Sequence, residues 1–109
     1  MNNECTTRNE GDFALVTITG EVDLSWSQQV RKAILDALGK SSKVGVDLSQ
    51  VSYIDSSGIA ALVEGFQNAR GKGQKFALIA ASASVRGVLE LARLDRVFPM
   101  VESVEAARG

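Results

Sequence analysis

The chain has 109 residues, enough for one domain with a hydrophobic core of its own. Its 12 basic and 13 acidic residues leave a formal net charge of −1, which does not indicate non-specific binding to nucleic acid or anionic membranes. The absence of histidine excludes Ser-His-Asp and Cys-His triads, and a single cysteine, Cys5, excludes an internal disulfide. Because the N-terminus is polar and no apolar run could span a bilayer, we expect one cytoplasmic domain over residues 1–109.

An antiparallel hairpin is predicted at the beginning of the chain. Phe13 to Thr19 alternates apolar and polar side chains and ends at Gly20, which is typical of a strand. Glu4 to Asn9 is predicted to pair with it as a polar edge strand, through a turn at Gly11-Asp12.

A first helix is predicted after this hairpin. Ser25, with Gln28 three residues later, forms a capping-box pattern, and Gly39 is predicted to end the helix. Apolar residues recur at helical spacing and predict one inward face, formed by Trp26, Val30, Ala33, Ile34, Ala37 and Leu38. Trp26 is therefore interpreted as part of the core or its rim and not as a ligand platform.

Strands and helices alternate over the rest of the chain. The predicted elements are a strand at Lys43–Leu48 that continues at Val51–Ile54 after a kink at Ser49-Gln50, a helix from Ser56 to the segment Arg70-Gly71-Lys72-Gly73, a strand at Lys75–Ala81, a helix capped by Ser82, a short strand at Val97–Met100 and a helix at Val101–Arg108. Their predicted inward residues are Ile59, Leu62, Val63 and Phe66, then Val85, Val88, Leu89 and Ala92, and last Val104. This order predicts an α/β fold, with helices packed on a mostly parallel sheet of four to five strands that begins with the antiparallel hairpin.

The tetrapeptide Asp55-Ser56-Ser57-Gly58 stands where a predicted strand meets a predicted helix, at the edge of the sheet that carries function in such folds. A helix N-cap is the simplest interpretation, because Asp, Ser and Gly are all favoured there. Two adjacent hydroxyls exceed the need of one cap, however, and also fit a phosphoacceptor. A Mg²⁺ site built on Asp23, Asp47 and Asp55 is a less favoured alternative, since carboxylates are common at helix starts.

Two catalytic motifs are excluded by their spacing. Gly39-Lys40-Ser41 resembles the end of a phosphate-binding loop, but the earlier glycine that such a loop requires is replaced by Ile34. A serine-hydrolase elbow would need a glycine at position 54 or 55, where Ile54 and Asp55 stand. Without a histidine to deprotonate a serine, acyl transfer is disfavoured.

A phosphoryl group on Ser56 would add about −1.5 to −2 charges at neutral pH. The backbone N–H groups at the start of a helix could accommodate part of that charge, whereas Asp55 and any tightly packed partner would oppose it. Such a group would be tolerated on the free protein and disruptive in a complex.

Three segments together resemble the STAS domains, specifically the stand-alone anti-sigma factor antagonists of bacteria. They are Gly20-Glu21-Val22-Asp23, then Val46-Asp47-Leu48-Ser49-x-Val51-x-x-Ile54-Asp55-Ser56-Ser57-Gly58-Ile59-x-x-Leu62, and last Leu91-x-x-Leu94-x-x-x-Phe98 followed by the Ser103–Ala107 segment. The resemblance covers essentially the whole chain. One departure is Arg93, since many relatives have glycine at this position before the leucine.

The resemblance implies partner switching. The unphosphorylated protein would bind an anti-sigma factor that is also a serine kinase, and so free the sigma factor. The kinase would phosphorylate Ser56, which ends the binding, and a serine phosphatase would reset the protein. The chain would then be a substrate without a cofactor and not an enzyme, with no direct nucleic-acid contact and no membrane insertion.

The expected partner-binding residues are Asp23, Asp55, Ser57, Gly58 and Ile59, of which Asp23 and Asp55 match family positions that shape the partner surface. The alternative that the resemblance leaves open is an accessory subunit of a lipid-transporter ATPase or a stress-signalling complex. Because transporter-associated members often lack a clean phosphoacceptor, Ser56 favours phospho-regulation.

Overall fold

Five strands and four helices form the part of the protein that the structure, a computed structural model, describes, namely residues 3–108. In chain order they are β1 (Glu4–Glu10), β2 (Phe13–Val22), α1 (Ser27–Lys40), β3 (Lys43–Ile54), α2 (Ser56–Gly71), β4 (Lys75–Ile79), α3 (Ala83–Leu91), β5 (Met100–Val101) and α4 (Val104–Arg108). The order and type of the predicted elements are confirmed.

The strands make one sheet in sequence order, from β1 to β5. β1 and β2 form the antiparallel hairpin, with Glu4 opposite Thr19 and Glu10 opposite Phe13, and every later pair is parallel. The mostly parallel sheet with an antiparallel start is therefore confirmed. Two irregularities in the register of β2 against β3 accompany the kink predicted from Ser49-Gln50, because Thr17 lies opposite Asp47 while Thr19 already lies opposite Gln50.

The main core lies on one face of the sheet, where alternate residues of the strands meet the helices. It includes Val16 and Ile18 of β2, Val44, Val46 and Leu48 of β3, Phe76 and Leu78 of β4, and residues of α1, α2 and α3 such as Ile34, Leu62 and Leu89. Trp26 is half-buried against this core, as predicted. At the crossing of α1 and α2, a Cβ on Gly65 would lie 2.5 Å from Ile34 Cγ2, so the close approach of the two helices depends on that glycine.

The opposite face is covered in part by α4. Phe13 and Ile79 are buried there, over a strand position that must stay small, since a Cβ on Gly45 would lie 2.6 Å from Ile79 Cδ1. The Arg108 guanidinium lies 5.5 Å from the centroid of the Phe13 ring and pairs with Glu10 of β1, and these contacts fasten α4 to the hairpin.

The start of α1 differs from the prediction. Ser25 does not cap the helix, because both its backbone N–H and its hydroxyl donate to Asp23 Oδ1, at 3.0 and 2.6 Å. The N-cap residue is Trp26, without a side-chain hydrogen bond, so the capping box with Gln28 was wrong. The helix also continues through Gly39 to Lys40, since the N–H of the C-cap residue Ser41 still donates to a carbonyl of the last turn.

The C-terminal elements are shorter than predicted. β4 ends at Ile79 because Ala80 has a left-handed φ of 50°. Ala92, predicted to face inward, is the exposed C-cap of α3. The last strand is Met100–Val101 and not Val97–Met100, since the Val97 N–H is used in a turn to Leu94 O.

The last helix begins at Val104 and not at Val101, after Ser103, whose hydroxyl accepts a hydrogen bond from the Ala106 N–H. Val104 is half-buried, so the helix lies over the sheet without placing a fully buried side chain into it.

Candidate functional site

The parallel pairing of β2 and β3 brings two loops together. Val22 lies opposite Ile54 at the carboxyl ends of these strands, and the Asp55 N–H donates to Val22 O at 3.2 Å. The loop after Val22, which carries Asp23, therefore runs beside the start of α2. These neighbouring loops lie at the carboxyl ends of the strands, where the sequence predicts that function is located.

Asp55 is the N-cap of α2. Its Oδ1 accepts hydrogen bonds from the Ser57 hydroxyl at 2.6 Å, the Ser57 N–H at 2.9 Å and the Gly58 N–H at 3.2 Å. The Ser57 hydroxyl, followed by the backbone N–H groups of Gly58, Ser57 and Leu24, lowers the pKa of this carboxyl below its ordinary value, against an opposing effect of desolvation. Asp55 is therefore a carboxylate at neutral pH.

The two serines of the tetrapeptide have different roles in the structure. Ser57 is half-buried and its hydroxyl is committed to Asp55. Ser56, the first residue of α2, is exposed, and within residues 3–108 its hydroxyl has no hydrogen-bond partner. The helix cap thus uses only one of the two hydroxyls.

Gly58 is required by close packing. A Cβ at this position would lie 2.6 Å from Ile54 Cγ1, 2.8 Å from Val22 Cγ1 and 3.0 Å from Val22 O. The first turn of α2 therefore rests directly on the ends of β2 and β3, which fixes the position of Ser56 relative to both strands.

The Asp23 loop repeats the arrangement of the Asp55 loop. Asp23 Oδ1 binds the N–H and hydroxyl of Ser25 as Asp55 Oδ1 binds those of Ser57, and Asp23 O accepts the N–H groups of Trp26 and Ser27. The tight turn leaves Leu24 outside it with 74% of its surface exposed. The sequence analysis did not single out Leu24, whose only signal is a single apolar residue between two polar ones in a loop at this edge of the sheet.

The remaining predicted site residues are placed differently. Ile59 is 7% exposed and belongs to the core beneath the loop, so it supports α2 from within. Asp47 binds the N–H of Ser49 with its own Oδ1 at 2.9 Å. Among residues 3–108, no three Asp, Glu or Cys side chains approach closely enough to hold a metal ion, and no helix is both long and apolar enough to cross a membrane.

Comparisons with known proteins give a family and a relative. A family model described as "STAS domain" matches residues 5–107. "Osmosensory protein A" of Mycobacterium tuberculosis is 32% identical over 97 residues, which cover 85% of this chain and 61% of that protein. The chain therefore spans about three-fifths of the length of this curated relative.

Solved structures of anti-sigma factor antagonists share the fold. One from Mycobacterium paratuberculosis has a TM-score of 0.87 at 22% identity, with 99% of this chain and 96% of that chain covered. SpoIIAA in its unphosphorylated form has a TM-score of 0.81 at 20% identity, with 95% and 92% covered. The Bacillus cell-fate determinant SpoIIAA in the phosphorylated form has a TM-score of 0.75 at 20% identity, with 95% and 96% covered. Because the family model spans nearly the whole chain, the protein belongs to the STAS domain family.

Proposed function

We propose that this STAS domain, over residues 1–109, is an anti-sigma factor antagonist of a cytoplasmic partner-switching pathway. Its unphosphorylated form binds an anti-sigma serine kinase and frees the sigma factor. A phosphoryl group on Ser56 abolishes the binding, and a serine phosphatase restores it. The kinase holds the ATP, so the chain itself is a substrate and not an enzyme. Support comes from the fold shared with antagonists, one of which, SpoIIAA, is known in both phosphorylation forms.

The observation that carries the proposal is the contrast between the two serines. A cap of α2 needs one acceptor, and Asp55 provides it while Ser57 reinforces it. Ser56 contributes nothing to this cap, yet it is exposed and held in a defined position by the packing of Gly58 beneath it. An exposed hydroxyl on a rigid turn is accessible to a kinase and costs no internal hydrogen bond when it is modified.

Electrostatics at this turn explain how the modification would act as a switch. The added charge of about −1.5 to −2 on Ser56 would stand next to the ionised Asp55. Water and the N–H groups of the first helical turn stabilise both charges in the free protein. A partner that covers the turn excludes water, so the repulsion between the two anions becomes costly and the complex dissociates.

The proposed partner surface comprises Asp23, Asp55 and Ser57, with Gly58 and Ile59 supporting the loop from below. Leu24 adds an exposed apolar side chain in the loop that follows Asp23. A complementary partner would present an apolar pocket for Leu24 and hydrogen-bond donors or cations for the carboxylates, which is the usual arrangement of an apolar anchor within a polar rim.

The test is phosphorylation of the purified chain with its cognate kinase and ATP, followed by location of the phosphate by mass spectrometry. We expect one phosphate per chain on Ser56, none on Ser56→Ala, and wild-type incorporation in the matched control Ser84→Ala, which changes an exposed serine of α3 outside the proposed partner surface. Ser56→Asp is expected to bind the kinase weakly and Ser56→Ala to bind it without release by ATP.

Two results would contradict the proposal. Phosphate found on Ser57 and not on Ser56 would show that the proposal names the wrong serine as the phosphorylation site. Binding of Ser56→Asp as tight as that of the wild type would show that negative charge at this position does not separate the partners.

A further inference from the structure

A cavity of about 320 Å³ lies at the opposite end of α2 from Ser56, between the last turns of α2, the beginning of β4 and the helix α4. The cavity is present because the last strand, β5, is short. β5 pairs only with Leu78 and Ile79, so within residues 3–108 the segment Lys75–Ala77 of β4 has no strand on its outer side. Pro99, which lines the cavity, has no N–H with which to continue the ladder in that direction.

The wall of this cavity is mainly apolar. Phe66 and Phe76 line it, with ring centroids 6.2 Å apart, and the Phe98 ring packs against both, with centroid distances of 5.5 Å to Phe66 and 6.4 Å to Phe76. Ala106 and Ala107 of α4 form the facing side. Because alanine fills little space, α4 does not close the cavity on its own side of the sheet edge.

The cavity also has a positive rim. Arg70 in the last turn of α2 lines the cavity and is exposed, and the described residues give it no ion-pair partner. Lys75 lines the same side, and none of the described residues that line the cavity is acidic. An aromatic and aliphatic wall with one cationic edge fits a small amphiphile, and the volume is at the lower end of those that ligand sites have.

We propose that this cavity binds a small organic carboxylate, with its apolar tail between Phe66, Phe76 and α4 and its carboxylate at Arg70. The tail is recognised by burial of apolar surface, and the head by the positive rim. Ser56 and Arg70 are the first and fifteenth residues of one helix, so the cavity lies about 21 Å from the phosphoacceptor. The ligand therefore leaves the surface around Asp55 free and occupies a second, separate site.

The matched probes are octanoate and octanol, which share a tail and differ in charge. Each is titrated into the whole chain labelled with ¹⁵N, and the amide shifts are followed by NMR. We expect saturable shifts confined to residues 66–77 and 99–107, with octanoate bound about two- to fivefold more tightly than octanol, since an exposed ion pair contributes modestly. Arg70→Gln is expected to remove this preference, whereas Arg96→Gln, which changes an exposed arginine outside the cavity, is expected to keep it.

A cavity-filling variant tests the apolar part. Ala107→Trp is expected to abolish the binding of both probes, and the exposed control Ala92→Trp to leave it unchanged; Ala106→Leu provides a milder filling if the tryptophan variant loses its native amide spectrum. Shifts centred on residues 55–59, or unchanged binding in both filled variants, would overturn the assignment of the cavity. Equal affinity for octanoate and octanol would overturn the assignment to carboxylates.

Discussion

Asp55 Oδ1 accepts hydrogen bonds from both the hydroxyl and the backbone N–H of Ser57, at 2.6 and 2.9 Å. This pairing uses one serine of the tetrapeptide for the cap and leaves its neighbour Ser56 exposed. It also joins stability to the proposed function, because the carboxylate that starts α2 is the group that a phosphate on Ser56 would face.

Removal of the cap acceptor is expected to destabilise the fold. Asp55→Ala leaves the N–H groups of Ser57 and Gly58 without their acceptor, so the free energy of unfolding should fall by about 0.5–2 kcal/mol in urea denaturation. Asp55→Asn, which retains an acceptor oxygen, is the control and should lose less. Equal losses in the two variants would mean that the hydrogen bonds from Ser57 and Gly58 do not stabilise the helix.

The lowered pKa of Asp55 predicts a pH dependence of stability. Because the folded state lowers the pKa, the ionised carboxylate stabilises the fold at pH values above its unfolded pKa of about 3.9, and this stabilisation is lost as the pH falls through the folded value. The difference in unfolding free energy between the wild type and Asp55→Asn should therefore be constant from about pH 7 to about pH 5 and shrink below about pH 4. If the unfolding free energies of the two proteins fell by the same amount as the pH is lowered, this prediction would be contradicted.

Gly58→Ala should destabilise the protein by about 1–3 kcal/mol, because the new methyl group would overlap Ile54, Val22 and the Val22 carbonyl. The matched control is Gly87→Ala in α3, where nothing lies within 4 Å of the added Cβ. That variant should instead be stabilised by about 0.5–1 kcal/mol, since alanine is the better helix former. Thermal unfolding of both variants measures this contrast. If the midpoint temperature shifted in the same direction in both variants, the prediction would be wrong.

Arg93 is the departure from the family pattern noted in the sequence, and it has a left-handed φ of 59° after the end of α3. The Arg93 N–H donates to Glu90 O and the Leu94 N–H donates to Leu89 O, which is the Schellman motif at a helix C-terminus. This motif favours glycine at the left-handed position that Arg93 occupies. Arg93→Gly should raise the free energy of unfolding by about 0.5–1 kcal/mol. Arg96→Gly, measured in the same urea titration, should show no such gain; a loss of stability in Arg93→Gly would disprove the argument.

Leu24→Ala should weaken binding to the proposed anti-sigma kinase about tenfold, as expected if Leu24 is an apolar anchor of the proposed partner surface. Because Leu24 is 74% exposed, the free energy of unfolding should change by less than about 0.5 kcal/mol. Leu91→Ala is the control, since Leu91 is 89% exposed but stands at the last residue of α3. Calorimetric titration with the kinase measures the affinities of Leu24→Ala and Leu91→Ala. If the two variants bound the kinase equally tightly, Leu24 would not belong to the partner surface.

The elements with a strong local pattern were predicted well. Phe13–Thr19 alternates in polarity and is within β2, and Ser82 caps α3 by accepting the Val85 N–H. Ser56 was predicted to begin a helix, and it does. In each case the residues that determine the structure are neighbours along the chain.

The errors arose where a contact that the local pattern does not reveal replaces the predicted one, whether its partner is near along the chain or distant. Ser25 carries the local signal of a cap, but Asp23 binds both of its donors and helix α1 begins two residues later. β5 is placed by hydrogen bonds to β4, including Leu78 N–H to Pro99 O, and not by its own two residues.

The alternation of strands and helices and the junction at Asp55-Ser56-Ser57-Gly58 could be predicted from the sequence, because periodicity and capping depend on neighbouring residues. The family resemblance came from the matching motif residues. The structure was needed to show which serine serves the cap, that the Leu24 backbone lies next to Asp55, and that Phe66 and Phe76 line a cavity. The choice of serine depends on the geometry of the first turn of α2, whereas the other two features depend on which strands pair and how closely helices approach the sheet, and side chains far apart in the chain determine both.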